Sequence, residues 1–282
     1  MDFGAAMFFT GYSMGPAELG RALEARGFES VWAPEHSHIP SSRATPFPQG
    51  GELPKKYYDA MDPFVTLTAA AATTDLKIGT GVCLVAQRDP IQTAKLVASI
   101  DQISSGRFLF GIGGGWNAEE MADHGTVFKT RFKLMRERVA AMKAIWTEAE
   151  PEYHGELVDF PKMRAWPKPA QKPHPPVIVG GAFPYAARRA LTYGDGWVPH
   201  AGRPQYADVT DFLPQFKEMA AAAGRRLDTV PVTVFGVPED PDRMRRYRDR
   251  GVARAVVSLP SAKADEVLPM LDRWAELIRR MG

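Results

Sequence analysis

The sequence predicts an α/β protein built as a closed (β/α)8 barrel. Three observations carry that expectation. Eight short apolar runs recur along the chain, each followed by a longer stretch with helical periodicity. The runs read as continuous apolar segments rather than alternating ones, as in parallel strands covered on both faces. The 282 residues, 45% hydrophobic and 24% charged, suit one domain, residues 1–282, with a large core. An open doubly wound sheet is the alternative.

The first run is DFGAAMFF (2–9), before a helix that opens at Pro16 and stops at Arg26-Gly27. SVWAP (30–34) is the second strand, and a polar, proline-bearing excursion over 37–60 follows it. Asp62-Pro63 opens the helix that leads to the third run, LKIGTGVCLV (76–85). Asp89-Pro90 reads as the N-cap and first residue of a helix that reaches about Ser104. FLFGI (108–112) is the fourth strand. Phe132, Met135, Val139, Met142 and Trp146 mark one face of the helix after it. Seven of the 24 prolines fall between Pro151 and Pro176, which excludes helix or central strand there and marks an insertion between the fourth helix and fifth strand. PPVIVGG (175–181), DGWVP (195–199), VPVTVFG (230–236) and RAVVSLP (254–260) complete the strands. Stripes Phe212, Phe216, Met219, Ala223 and Val267, Leu271, Trp274, Ile278 supply late helices. Loops as long as 37–60 in a compact domain commonly act as lids or binding loops.

Formal net charge is +2, which argues for neither a nucleic-acid nor a membrane partner. No apolar run approaches the ~18 residues of a membrane span, and no basic segment precedes the first apolar run. A single cysteine, Cys83, excludes an internal disulfide and fits a reducing compartment. A cytoplasmic protein is expected.

In a barrel, the chemistry sits where strands end. Those positions hold Glu35 and His36, then Gly81 to Leu84 with Gln87 and Arg88, then Gly113 to Trp116, then Gly180-Gly181, and His200. Small and apolar groups dominate, a poor set for hydrolysis and a fitting one for a flat cofactor that brings its own reactivity. The cluster GRFLFGIGGGW (106–116) is not a dinucleotide fingerprint. Trp116 stands where the third glycine belongs, and no acid follows at the required distance. Gly81, Gly113 and Gly114 are instead expected to clear space for a planar ring. Gly180-Gly181-Ala182-Phe183-Pro184 reads as a strand, two glycines and a proline-started helix, which aims free N–H groups at a phosphate, with Arg188 and Arg189 adding charge. His36-Ser37-His38 has the H-x-H spacing of a metal pair, but later strand ends supply no carboxylate, so no metal is assigned. His36 remains open between a chemical and a structural role on spacing alone.

These residues together resemble the luciferase-like monooxygenase family, in its deazaflavin-dependent branch. The resemblance rests on ARGFESVWAPEHSHIP (25–40), residues 62–125, RERVAAMKAIWTE (136–148) and PPVIVGGAFPYAARRALTYGDGWVP (175–199). It implies a TIM barrel holding coenzyme F420, or alternatively FMN, at the strand ends, usually in a homodimer, acting on a small organic substrate. By position, His36 matches the catalytic histidine near the reactive edge of the ring. Gly81, Val82, Cys83 and Leu84 match a bulge behind the ring, often with a non-proline cis peptide. Gly113 and Gly114 match the space for the ring, and Gly180, Gly181 and Ala182 the phosphate site. Trp116, with His200, is placed on the substrate side. Relatives that oxidise glucose 6-phosphate carry a glutamate where Trp116 stands, so the resemblance implies a more apolar substrate here. Lys55, Lys56, Arg188 and Arg203 are candidates for a polyglutamate tail. The expected activity is hydride transfer with F420. The alternatives are an FMN-dependent monooxygenase fed by a partner reductase and a non-catalytic flavin-binding paralogue.

Overall fold

The computed structural model describes residues 1–202 and 208–281. All eight expected strands form, as β1 (Asp2–Ala6), β2 (Ser30–Ala33), β3 (Lys77–Thr80), β4 (Phe108–Ile112), then β7 (Val177–Gly180), β8 (Gly196–Val198), β9 (Thr233–Phe235) and β10 (Arg254–Ser258). Between β4 and β7 lie two added strands, β5 (Tyr153–His154) and β6 (Asp159–Phe160). They pair antiparallel inside the proline-rich insertion, outside the barrel, where proline excludes only longer regular structure. The sheet order is β8-β7-β4-β3-β2-β1-β10-β9, with every ladder parallel. Isolated bridges Trp197 to Val232 and His200 to Phe235 join β8 to β9, so the eight strands nearly close into a (β/α)8 TIM barrel.

Helices α1 (Pro16–Glu24), α2 (Pro63–Ala71), α3 (Pro90–Ile103), α4 (Ala118–Asp123), α5 (Arg131–Thr147), α6 (Tyr185–Tyr193), α7 (Leu213–Ala222), α8 (Pro241–Asp249) and α9 (Ala264–Met281) surround it. Asp62 and Asp89 cap α2 and α3, each before a proline in the first turn. Gly27 takes φ +78° just past α1, as its position after the helix suggests. Met135, Val139, Met142 and Trp146 of the α5 stripe are buried, with Trp146 against Phe110 and donating to the Ala94 carbonyl, while Ala223 at the end of the α7 stripe is exposed. Among the described residues no helix is long and apolar enough to cross a membrane.

The barrel interior is built around Trp32. Its indole Nε1 donates to Ser30 Oγ (2.9 Å) and its ring meets Phe235 edge-on. A side chain at Gly79 would stand 2.4 Å from that ring, so the small residues around it are what admit the tryptophan. Below, at the amino ends of the strands, Arg254 pairs with Glu29 (2.6 and 2.8 Å) and reaches Thr233 Oγ1 (3.2 Å). This charged layer plugs the bottom of the barrel and leaves the opposite end for a site.

Candidate active site

A cavity of about 920 Å³ opens at the carboxyl ends of the strands. Every barrel strand or the residues just after it contribute to its wall, from Ala6 after β1 round to Ser258 at the end of β10. That volume lies at the upper end of small-molecule and cofactor sites. His36, Gly81, Val82, Leu84, Gly113, Gly114, Trp116, Gly180, Gly181, Ala182 and His200 all line it. Cys83 does not. Its thiol is fully buried behind the wall, where burial and the nearby Glu35 carboxylate push it well above the usual thiol range. Val82 and Leu84 on either side of it line the cavity, while Cys83 joins the main hydrophobic core.

His36 is the polar group best placed for chemistry. It is 8% exposed, and its Nδ1 lies 2.8 Å from Oε2 of Glu120, which is fully buried. Glu120 Oε1 accepts the Ser37 N–H at 3.2 Å. A carboxylate at Nδ1 favours the tautomer with its proton on that nitrogen and leaves Nε2 as the free acceptor of the ring. Trp116 packs edge-on against His36 with ring centres 5.7 Å apart, and Tyr57 stands on another side at 5.3 Å. Glu120 sits in the first turn of α4, whose N-cap Asn117 accepts its backbone N–H at 3.3 Å. The Asn117-x-x-Glu120 spacing reads from sequence as helix capping, which hides the role the side chain takes instead. Neighbouring Glu119 accepts from Ala44 and Thr45 N–H (3.0 and 3.2 Å) and ties the 37–60 excursion over the cavity.

The neighbouring wall, after β3, is the 81–84 segment, where the Gly81–Val82 peptide is cis. Glu35 holds this segment in place. Its Oε2 accepts the Leu84 N–H at 2.6 Å, while Arg88 pairs with its other oxygen and with Asp62. Glu35 and Arg88, read as strand-end candidates, therefore serve as a scaffold for the bulge.

The glycines admit protein side chains as much as ligand. A Cβ at Gly113 would meet Val82 Cγ2 at 2.5 Å, and one at Gly114 would meet the Phe132 ring at 2.5 Å. Bare backbone thus lets Val82 and Phe132 close in and form the cavity face themselves. Gly115, at φ +71°, needs glycine for its backbone.

Near Gly180 the cavity carries concentrated positive charge. Arg131 and Arg189 both line it and lie against the ring of Phe132, at 4.3 and 3.9 Å. The Nε of each is buried with no hydrogen-bond partner, Arg131 Nη1 donates to the Phe128 carbonyl at 2.8 Å, and neither guanidinium has an acidic partner among the described residues. Burial lowers the pKa of both from the ordinary arginine value, and Arg189 also repels Arg131. Two partly buried charges of one sign, without a carboxylate beside them, favour an incoming anion. Gly181 takes φ +131°, and α6 begins at Tyr185 with Pro184 as its N-cap rather than its first helical residue. Arg188 faces solvent on the far side of that helix, and Arg203 lies outside the described residues.

His38 turns away from His36. It meets Ser37 Oγ (2.9 Å) and Asp123 (2.9 Å), so the H-x-H pair does not converge, and no metal-binding cluster exists among the described residues. His200 lines the cavity and accepts the Gly202 N–H at Nδ1 (3.0 Å). Arg131, Tyr57 and Phe47 were not legible as site residues, because each comes from a loop or helix start with no marker of its own.

A parallel barrel with a large apolar cavity at its strand ends, a buried imidazole–carboxylate pair and an arginine pair without an acidic partner among the described residues defines a cofactor-binding barrel enzyme. The model of the luciferase-like monooxygenase family matches residues 16–273, and the chain belongs to that family, whose members are oxidoreductases. An uncharacterized protein of Mycobacterium tuberculosis is 37% identical over 98% of both chains. An F420-dependent hydroxymycolic acid dehydrogenase of the same organism is 28% identical over 90% of this chain and 70% of its own. The solved structure of monooxygenase RslO1 from Streptomyces bottropensis superposes with a TM-score of 0.78 at 20% identity, over 100% of this chain and 99% of that one.

Proposed function

We propose that this oxidoreductase binds coenzyme F420 and moves a hydride between it and a small organic substrate. The observation that carries the reading is the Arg131–Arg189 pair, without an acidic partner among the described residues, beside Gly180-Gly181-Ala182. It is a cradle for a phosphate, and the F420-dependent relative strengthens the assignment to a deazaflavin. When bound, the cofactor supplies or accepts the hydride. The chain's own residues do the rest. Arg131, Arg189 and the Ala182 N–H, which has no partner among the described residues, hold the phosphate. Val82, behind Gly113, and the neighbouring bulge support the ring. Phe47, Tyr57 and Trp116 exclude water from the reacting centre. His36 Nε2 takes or gives the substrate proton, with Glu120 fixing the imidazole.

The second reading, an FMN-dependent monooxygenase supplied by a reductase, is favoured by the likeness of fold to RslO1. Parallel titrations with F420 and FMN, followed by absorbance or fluorescence, separate the two. Micromolar binding of F420 with weak FMN binding is expected. The reverse preference, with oxygen uptake in the presence of reduced FMN, overturns the hydride-transfer reading. Binding of neither removes the cofactor assignment. A homodimer in the cytoplasm completes the proposal, and a monomeric mass at micromolar concentration would remove the dimer from it.

A further inference from the structure

We infer that the substrate is an aromatic or alicyclic compound bearing a carboxylate, and that Lys56 is its anion partner. The inference rests on the oxidoreductase reading of the cavity. Lys55 and Lys56 are adjacent and meet opposite fates. Lys55 is exposed and paired with Asp59 at 2.9 Å. Lys56 lines the cavity, partly buried, with its Nζ 5.4 Å from the centre of the Phe8 ring and no acidic partner among the described residues. Burial alone holds its ammonium below the usual lysine range. A desolvated cation without a counter-charge favours an incoming anion.

Position then separates this charge from the arginine pair. Phe8 follows β1, and Arg189 follows β7. In the sheet order those two strands stand four apart in either direction, so they are diametrically opposite in the barrel. The two cationic sites therefore occupy opposite rims of one cavity, with His36, after β2, next to the Lys56 rim. Phe8 and Tyr57 lie 4.7 Å apart, and Tyr57 lies 5.3 Å from His36, so an aromatic path runs from the ammonium to the imidazole. Phe47 crosses edge-on to both Tyr57 and Trp116 and walls the path. Such a surface accepts a ring, and it lacks the array of polar groups that a polyhydroxylated substrate uses. A lone ammonium grips a single carboxylate as a point charge, whereas the forked arginines suit a phosphate.

The test uses naphthalene-2-carboxylate and naphthalene-2-carboxamide, titrated calorimetrically into the full-length protein with and without saturating F420 or FMN. The carboxylate is expected to bind at least ~10-fold tighter than the amide, as one charge-assisted bond gives. Lys56→Met and Lys56→Gln should erase that preference, and Lys55→Met should keep it. Equal binding of the two probes, or a preference that survives both Lys56 substitutions in folded protein, overturns the inference. Displacement of the carboxylate by F420 but not FMN also overturns it, because Lys56 would then belong to the cofactor's tail. The titrations without cofactor stand apart from the cofactor assignment. A carboxylate preference in a protein that binds neither F420 nor FMN would leave Lys56 in place and remove the cofactor reading alone.

Discussion

His36 Nδ1 stands 2.8 Å from Glu120 Oε2, a fully buried carboxylate whose other oxygen accepts the Ser37 N–H. A histidine clamped on one nitrogen presents the other in a fixed direction. His36→Ala should lower turnover by roughly 100-fold or more, the scale of general acid–base catalysis, with cofactor affinity changed by only a few fold. Glu120→Gln should lower kcat with little change in cofactor binding, and should shift the pH–rate profile. Steady-state kinetics over pH reads both. Unchanged turnover in His36→Ala would remove the imidazole from the mechanism. An unchanged pH profile in a folded Glu120→Gln protein would make the carboxylate a packing element.

The arginine pair predicts opposite effects on binding and stability. Arg189→Met should weaken cofactor binding by about 10- to 100-fold, the worth of a charge-assisted hydrogen bond. The melting temperature of the free protein should hold or rise, since Arg189 repels Arg131 and Met keeps most of the packing on Phe132. Titration and thermal unfolding of the same variant check this. Unaltered affinity would take the phosphate away from this end.

Gly113→Ala and Gly114→Ala test what the glycines are for. Each added methyl meets Val82 or Phe132 at 2.5 Å, so each should cost roughly 1–3 kcal/mol in overpacking before any ligand is present. A loss of cofactor affinity with full stability would mean that the bare backbone serves the ligand alone.

Acid stability should depend on the bottom of the barrel. Burial pushes the Glu29 carboxyl up, but Arg254 and Lys77 outweigh it and hold it down at about 2, below its ordinary 4.5. The group is depressed on folding, so its contribution is complete above pH 4.5 and is lost as pH falls toward 2. Glu29→Gln should cost roughly 2–3 kcal/mol at neutral pH and flatten the stability curve across that window. Urea unfolding at several pH values measures it, and a variant as pH-dependent as the parent would show that the acid response arises elsewhere.

Much of this protein is written locally. The apolar runs, the Asp-Pro helix starts at 62–63 and 89–90 and the glycine after α1 fix eight strand-and-helix units, because strand burial, capping and left-handed backbone act over a few residues. The rule that sites sit at strand ends then locates His36, Trp116 and Gly180-Gly181 without coordinates. Local signals also mislead. Glu120 has the spacing of a capping residue, and Cys83 sits in a segment that otherwise lines the cavity.

The sequence by itself determined the barrel, its two excursions and the strand ends that face the cavity. Tertiary structure alone decided which partners meet there. Glu120 reaches His36 across 84 positions of chain, and Arg131 comes within range of Arg189 only when α5 and α6 dock on neighbouring strands. Lys56 differs from Lys55 only in which way its side chain leaves the loop. Pairings of this kind are set by the closure of the whole sheet, and closure depends on packing contacts far apart in sequence, which no local pattern encodes.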